Sequence, residues 1–252
     1  MVRRLAYPVF RRRTFRSFPC GLPGARKKRD QHVETLALLE EALRPSIGAR
    51  AEGVVRQFQV YRDLIIDWNR RMNLISKRDE PRLVSRHFLQ STGLLTVLDI
   101  PRHARIMDLG SGAGFPGIPI KLVRPDLSFA LVESIQKKAA FLRTAMDILG
   151  LKKIHVCAGR AENLDAEGIA VSWILSRGVS DLLTLVRWCR RFVPPEGGNL
   201  AVIKGSGIFR EMSILKTKAE CMGITDTRII PYDPYPGLFR LDASYVALIY
   251  IN

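Results

Sequence analysis

The chain has 252 residues, of which 47% are hydrophobic, and this is typical of a globular protein with one large domain or one domain and a small appendage. No run of 18 apolar residues occurs, which excludes a helix long enough to cross a membrane. The net charge of +16 favours a polyanionic partner such as a nucleic acid.

Most of this charge lies at the N-terminus. Residues 1–29 hold ten basic residues and no acidic one, and prolines and glycines interrupt them, so we predict a basic, disordered tail over residues 1–30. Three interpretations of the tail stay open: an arm that adds RNA affinity, an organelle transit peptide, and sequence included by a wrongly assigned start. We expect a cytoplasmic protein, with an organelle matrix as the alternative if the tail is cleaved.

The cysteines follow neither a metal-binding nor a secretory pattern. They are scattered without a C-x-x-C spacing, and no secretory apolar segment follows the basic start. We therefore expect reduced thiols in a reducing compartment and no bound metal. The four are Cys20, Cys157, Cys189 and Cys221.

Apolar residues recur at helical spacing after the tail. Leucines form a short stripe over 36–43, and a longer stripe over 54–68 repeats every three or four residues, as one buried face of a helix requires. A polar stretch over 69–82 precedes a further predicted helix over 87–98. We predict that residues 31–100 form an all-helical N-terminal cap.

Beyond Pro101, short apolar runs alternate with amphipathic segments, which predicts a mostly parallel sheet with helices on both faces. The strand candidates are Arg105–Leu109, Ser128–Glu133, Ile154–Ala158, Val171–Ser176, Leu200–Lys204, Thr225–Pro231 and Ser244–Ile251. The helix candidates are 116–124, 136–149, 181–192 and 208–222. Little helix separates the last two strands, so we expect an antiparallel hairpin at an edge of the sheet. Residues 101–252 are thus predicted to form an α/β core.

One motif carries chemistry, and it lies between the first strand and the first helix of this core. It reads Asp108-Leu-Gly-Ser-Gly-Ala-Gly-Phe-Pro-Gly117. Glycines let the backbone of such a turn approach a ligand, and the start of the next helix, where Pro116 is well placed, offers unpaired N–H groups to a negative group. In open α/β sheets ligands bind at the carboxyl ends of the strands, where this turn lies.

Two classes of cofactor fit the turn. Gly112-x-Gly114-x-x-Gly117, with Glu133 about 20 residues further on, matches the fingerprint of a dinucleotide site. Asp108 argues against it, because a carboxylate there would repel a pyrophosphate, whereas it suits the positive charge of S-adenosylmethionine (SAM). Capping of the turn is the structural alternative for Asp108, and Glu133 would bind ribose hydroxyls of either cofactor.

From Asp108 to Pro119 the sequence resembles the signature of the glucose-inhibited division protein B family, bacterial methyltransferases that act on small-subunit (16S) ribosomal RNA. The resemblance spans roughly Tyr61 to the C-terminus and includes weaker segments in the family's order. These are Trp68–Leu74, Arg78-Asp79, Arg86–Leu89, Glu133-Ser134, Lys137, Phe141-Leu142, Gly159–Glu162, Ser176-Arg177 and Ile203–Gly205. It implies a Rossmann-like class I SAM-dependent methyltransferase that methylates N7 of one guanine near the decoding region.

The resemblance also implies site residues. The candidates for SAM binding are Gly110, Gly112, Phe115, Glu133, Ala161, Glu162 and Arg177. Gly110 and Phe115 would hold the methionine part, and Ala161 with Glu162 would contact the adenine. The candidates for catalysis are Arg177, Asn73 and His87, and those for RNA binding are Arg78 and Lys204.

Two positions depart from the family pattern. Gln90 stands where the family usually has aspartate, which weakens any catalytic role there, and Gly178 replaces alanine. Several candidates also have a purely structural alternative. These are a core or surface histidine for His87, a helix C-cap for Asn73, a solvated ion pair between Arg78 and Asp79, and a snorkelling side chain for Lys204.

N7 of guanine carries a free lone pair, so the implied reaction needs alignment of the methyl donor rather than a general base. We expect small-subunit ribosomal RNA or a ribosomal particle as the partner, with no membrane and no obligate protein partner. Two other functions stay open. One is an NAD-dependent oxidoreductase that uses the loop from Gly112 to Gly117, and the other is a non-catalytic RNA-binding protein that works through its tail.

Overall fold

Two amphipathic helices begin the part of the chain that the computed structural model describes, residues 36–166, 168–238 and 244–252. They are α1 (Leu36–Ile47) and α2 (Ala51–Asn69). The apolar residues of α2 that recur every three or four positions are buried, namely Val54, Phe58, Tyr61 and Ile65. The tail predicted over 1–30, with Cys20, lies outside the described residues.

The rest of the helical region is broken into short pieces. A π-helical turn, Val84–Leu89, leads into α3 (Gln90–Thr92) and α4 (Leu94–Val97). Phe88 anchors this turn on α2, because its ring centroid lies 4.9 Å from that of Phe58 and 5.5 Å from that of Tyr61. The helix predicted over 87–98 is therefore present, but the wide π turn interrupts its regular spacing.

A seven-stranded sheet follows in the chain. Its strands are β1 (Arg105–Leu109), β2 (Ser128–Glu133), β3 (Ile154–Ala158), β4 (Trp173–Arg177), β5 (Gly198–Lys204), β6 (Ile224–Pro231) and β7 (Tyr245–Ile251). They lie in the order β3-β2-β1-β4-β5-β7-β6, and β7 runs antiparallel to both of its neighbours while β1 to β5 are parallel. The predicted mostly parallel sheet is confirmed.

The predicted antiparallel pair lies at one edge, with β7 inside and β6 outermost. Burial explains this order, because β7 has buried residues on both faces of the sheet. These are Val246, Ala247, Ile249 and Ile251. Strand β6 exposes Asp226 and Arg228 and ends at Pro231, and such residues suit an edge strand that must not pair further.

Four helices complete the fold: α5 (Gly117–Val123), α6 (Gln136–Ile148), α7 (Leu182–Cys189) and α8 (Ile208–Lys216). Successive residues of β1 belong to different apolar clusters. Ile106 lies in the cluster that includes residues of α1, α2, α5 and α6, and Met107 in the one that includes residues of α7 and α8. The helical region and the sheet thus share a core, and all described residues fall in one compact unit.

Some predicted bounds are wrong. The helix predicted over 181–192 is present, but its last turn, Arg190–Phe192, is a 3-10 helix. The one predicted over 208–222 ends at Lys216, and a separate 3-10 turn covers Glu220–Met222. Strand β4 ends one residue later than predicted, so Arg177 is its last residue. Within the described ranges, no helix combines the length and apolar character needed to cross a membrane.

Candidate active site

The glycine loop connects β1 to α5 in a conformation that only glycines adopt readily. Gly110, Gly112 and Gly114 have φ angles of +74°, +57° and +96°. A Cβ atom on Gly114 would lie 2.5 Å from the hydroxyl oxygen of Tyr61, so no larger residue fits there. Pro116 precedes the first residue of α5, where its missing N–H has no cost. The loop is thus fixed by backbone geometry and by close packing against α2.

Glu133, at the carboxyl end of β2, holds the loop from the other side. Its Oε2 atom accepts a hydrogen bond from the backbone N–H of Gly112 at 2.8 Å, and its Oε1 atom accepts one from Ile135 at 2.8 Å. Each oxygen of a carboxylate has a second lone pair, which leaves capacity for ribose hydroxyls. The prediction that this acid belongs to the cofactor site is consistent with its position.

Asp108 is fully buried below the loop. Its Oδ2 atom accepts a hydrogen bond from the backbone N–H of Gly117 at 2.9 Å, which is the capping contact considered above. Among the residues that the structure describes, its Oδ1 atom has no hydrogen-bond partner. Burial raises the pKa of this carboxyl to about 7. One oxygen therefore supports the turn, and the other is left without a compensating donor.

Arg177 is held by the π-helical turn and by α3. Its Nη1 atom donates hydrogen bonds to the carbonyl oxygen of Arg86 at 2.9 Å and to Oε1 of Gln90 at 3.0 Å. Its Nη2 atom donates a hydrogen bond to Nδ1 of His87. The guanidinium also lies 5.2 Å from the centroid of the Phe115 ring, a cation–π contact. These contacts fix the orientation of the guanidinium.

Charge states follow from the same burial. Loss of solvent lowers the pKa of Arg177 to about 10, so it stays charged at neutral pH. Burial, together with the positive charge of Arg177, holds the pKa of His87 far below its usual range. The neutral imidazole therefore accepts a hydrogen bond from Arg177 through Nδ1, and its ring centroid lies 4.7 Å from that of Phe115, with the two rings tilted by 32°.

A cleft of about 620 Å³ opens beside this cluster. It lies at the carboxyl ends of β4 and β5, and the helical region closes its other side. Its lining includes the polar side chains of Asp79, His87, Gln90, Arg177, Lys204 and Glu211. Of the predicted residues, the structure thus brings His87, Arg177 and Lys204 together in one cleft.

Lys204, at the end of β5, is paired rather than free. Its Nζ atom lies 2.8 Å and 2.6 Å from the two carboxylate oxygens of Glu211, and Glu211 also accepts a hydrogen bond from the backbone of Leu182 at 2.9 Å. The side chain does not simply extend into solvent, so the snorkelling alternative is wrong.

Asn73 and Arg78 lie away from the cleft lining, exposed in the loop that follows α2. Asn73 is no C-cap, because α2 ends four residues earlier, and it is Asn69 whose side chain accepts hydrogen bonds from Leu74 and Ile75. The pair expected between Arg78 and its neighbour is also wrong. The carboxylate of Asp79 lies instead 3.1 Å from Arg82, 3.7 Å from Arg86 and 3.8 Å from Nε2 of His87.

Ala161 and Glu162 form a short helical turn after β3, at the same end of the sheet as Glu133. Ala161 is buried, and Glu162 is exposed with its carboxylate 3.7 Å from Arg160. The three described cysteines, 157, 189 and 221, are free thiols, as predicted. In the described part of the chain, no three His, Cys, Asp or Glu side chains are grouped so that they could hold a metal ion.

Sequence reasoning missed two positions in this site. Gln90 was treated only as a departure from a family pattern, yet it binds Arg177, and its own carbonyl accepts the hydroxyl of Tyr232. Val179 covers the loop, since its side chain would lie 2.3 Å from a Cβ atom on Gly110. For Gln90, the departure from the family pattern was a signal in the sequence. For Val179, the sequence contains no such signal.

Comparisons with known proteins agree with this architecture. A solved SAM-dependent methyltransferase from Aquifex aeolicus superimposes with a TM-score of 0.53 and 18% identity, covering 70% of this chain and 96% of that one, which confirms the predicted Rossmann-like methyltransferase fold. Proteins named ribosomal RNA small subunit methyltransferase G are more similar in sequence. The one from Roseiflexus strain RS-1 is 39% identical, over 73% of this chain and 79% of its own length.

The corresponding protein of Moorella thermoacetica is 36% identical over 67% of this chain and 71% of its own length. A family model described as rRNA small subunit methyltransferase G, GidB, matches residues 54–232, a range that contains the glycine loop, Glu133 and Arg177. The chain belongs to this family, the one that its glycine loop resembles.

Proposed function

We propose that this protein transfers a methyl group from SAM to N7 of a guanine in small-subunit ribosomal RNA, in the cytoplasm. The observation that carries the proposal is the contact between the acid-flanked glycine loop and the cleft. The guanidinium of Arg177, which lines the cleft, lies 5.2 Å from the ring of Phe115 in the loop. The family of the chain, whose model is described by its action on ribosomal RNA, supports the same substrate.

The residues around the loop fit SAM. The buried Oδ1 atom of Asp108 lacks a donor, which a positively charged ligand nearby would compensate electrostatically. Gly110, Gly112 and Phe115 would hold the methionine part, with Glu133 at the ribose. Ala161 and Glu162 would contact the adenine. When bound, SAM supplies a methyl group activated by its sulfonium.

A dinucleotide fits less well for two reasons. Classic dinucleotide-binding sheets have the order 3-2-1-4-5-6, whereas β7 here is inserted antiparallel between β5 and β6. Asp108 also lies directly below the loop, bonded to the Gly117 N–H, where its carboxylate form would repel a pyrophosphate. We therefore set the oxidoreductase aside in favour of the methyltransferase.

The cleft suits a guanine that has left its stack. Such a base must be single-stranded or flipped out before a pocket can align N7 with a methyl donor. The product guanine is cationic, so Arg177 would hinder the reaction at N7 itself and is better placed to bind O6 or a phosphate. His87 is neutral and accepts from Arg177, so it positions the guanidinium rather than removing a proton.

Further RNA contacts are proposed for the exposed loop after α2, for Lys204 and for the basic tail. Arg78 and Asn73 are exposed beside the helical region, in reach of a large ligand. The charge of Lys204 is already balanced by Glu211, so its contribution to RNA affinity would be small unless the pair opens. The basic tail would add affinity that falls with salt, with a slope reduced by about 0.7 for each phosphate contact removed by truncation.

Calorimetry with SAM and with NAD(H) tests the cofactor assignment. Gly112→Val is expected to abolish SAM binding, whereas Gly48→Val is the matched control, because Gly48 has nearly the same φ, +58°, and open space around it, yet lies far along the chain from the site. Equal SAM affinity in both variants would contradict the loop assignment. Binding of NAD(H) without SAM would favour the oxidoreductase.

The tail hypothesis is tested separately. If the protein only binds RNA, deletion of residues 1–29 abolishes RNA binding, and the Gly112→Val variant keeps its function. The proposal predicts the reverse: the truncated protein still methylates RNA, and the loop variant does not.

A further inference from the structure

An exposed aromatic side chain lies on α8, next in the chain to residues that line the cleft. Phe209, in the first turn of α8, is 53% exposed, although large apolar side chains are usually buried. Its neighbours Gly207, Ile208 and Glu211 all line the cleft. The phenylalanine therefore borders the opening through which an acceptor would enter.

Tyr245 holds this ring in place. The two ring centroids are 4.9 Å apart and the rings meet edge to face at 74°. Tyr245 begins β7, opposite Lys204 in the sheet register, and Ser244 before it lines the cleft. An edge contact orients an aromatic ring while leaving much of its surface uncovered. The pair is thus continuous with the cleft and leaves the Phe209 ring accessible.

The surroundings suit a nucleic acid. Arg210, next to Phe209, is exposed, and beyond the basic tail residues 30–252 still carry 30 basic residues against 24 acidic ones. The loop Gly205–Gly207 is exposed as well, with open space beside both of its glycines, so a bulky backbone can approach.

We propose that Phe209, oriented by Tyr245, is a stacking platform for an unpaired RNA base next to the methylated nucleotide. The claim rests on the proposed function, because a guanine that enters the cleft leaves its neighbours without a stacking partner. An aromatic ring at the mouth replaces that partner, and such stacking tolerates any base. The platform adds affinity for the RNA without selecting its sequence.

The test compares three variants with the wild-type protein. Phe209→Ala is expected to weaken binding of small-subunit ribosomal RNA about 5- to 150-fold and to raise the KM for RNA accordingly. Affinity for SAM stays unchanged, and the melting temperature falls by only a few degrees, because the ring is half exposed and loses its edge contact with Tyr245. Phe209→Tyr keeps a stacking ring and is expected to bind as the wild type does.

Ile214→Ala is the matched control, because Ile214 lies on the same helix and is 48% exposed. Equal RNA affinity of Phe209→Ala and Ile214→Ala overturns the platform, while methylation by the wild type would leave the proposed function intact. A wild-type protein that binds RNA but does not methylate it refutes the function, and the same variants still decide on the platform. If Phe209→Ala weakens binding to assembled subunits but not to RNA alone, Phe209 contacts a ribosomal protein, and the proposal is overturned.

Discussion

Asp108 gives the protein a pH dependence of stability that can be measured. Burial raises the pKa of its carboxyl from 3.8 to about 7. Between these values the folded protein keeps the proton and the unfolded chain releases it, so the free energy of unfolding falls as the pH rises. The full effect of one such group is about 1.4 kcal/mol per pH unit within that window.

Asp108→Asn removes this titration and keeps the bond from the Gly117 N–H, because the amide oxygen accepts it equally well. We expect the stability of the variant relative to the wild type to increase from about pH 4.5 to about pH 6.5, as measured by urea denaturation at several pH values. The titration of His87, whose lowered pKa has the opposite effect, is common to both proteins and cancels in the difference.

Asp99→Asn is the control, because it makes the same chemical change at an exposed position. Its stability should run parallel to that of the wild type across the range. If the difference between Asp108→Asn and the wild type is also independent of pH, the carboxyl of Asp108 is not shifted, and the reasoning from its burial fails.

Three further outcomes are expected. Arg177→Met should lower kcat/KM for RNA roughly 10- to 150-fold, which corresponds to the loss of one hydrogen bond from a charged group to the substrate. An unchanged rate in a folded variant would remove Arg177 from the site. Gly114→Ala should cost about 1–3 kcal/mol more in thermal denaturation than Gly178→Ala, because both have a positive φ but only the first meets Tyr61; equal losses would show that the contact gives way. Glu133→Ala should weaken SAM about tenfold or more by calorimetry without changing RNA affinity, and a defect in RNA binding alone would refute its role.

The sheet was predictable where local pattern decides it. The bounds of β1, β2 and β3 agree with the prediction, because each is an apolar run between turn residues. Strands β1 and β2 are almost entirely buried, whereas β3 lies at the edge of the sheet and is only partly covered. The place of β7 was not predictable in the same way. It pairs with β5, with Gly198 opposite Ile251. This pairing depends on whether β6 or β7 buries more apolar surface when it lies next to β5.

In the candidate site, too, local sequence predicted some residues and not others. The glycine loop and Glu133 follow from spacing within one βαβ unit, so a motif is enough to find them. The contact between Arg177 and Gln90 joins residues 87 positions apart, and that between Arg177 and His87 joins residues 90 apart. Such pairs depend on how the helical region packs against the sheet, and this packing cannot be predicted from local spacing in the sequence.

Methylation of mapped RNA tests the central claim most directly. The protein would be incubated with radiolabelled SAM and small-subunit ribosomal RNA, naked or in particles, from cells that lack this activity, and the RNA would be digested to nucleosides. We expect label in 7-methylguanosine at a single site, and loss of that label with the Gly112→Val variant. Label in any other nucleoside, or none in either substrate despite measured SAM binding, would contradict the assignment of N7 of guanine as the acceptor.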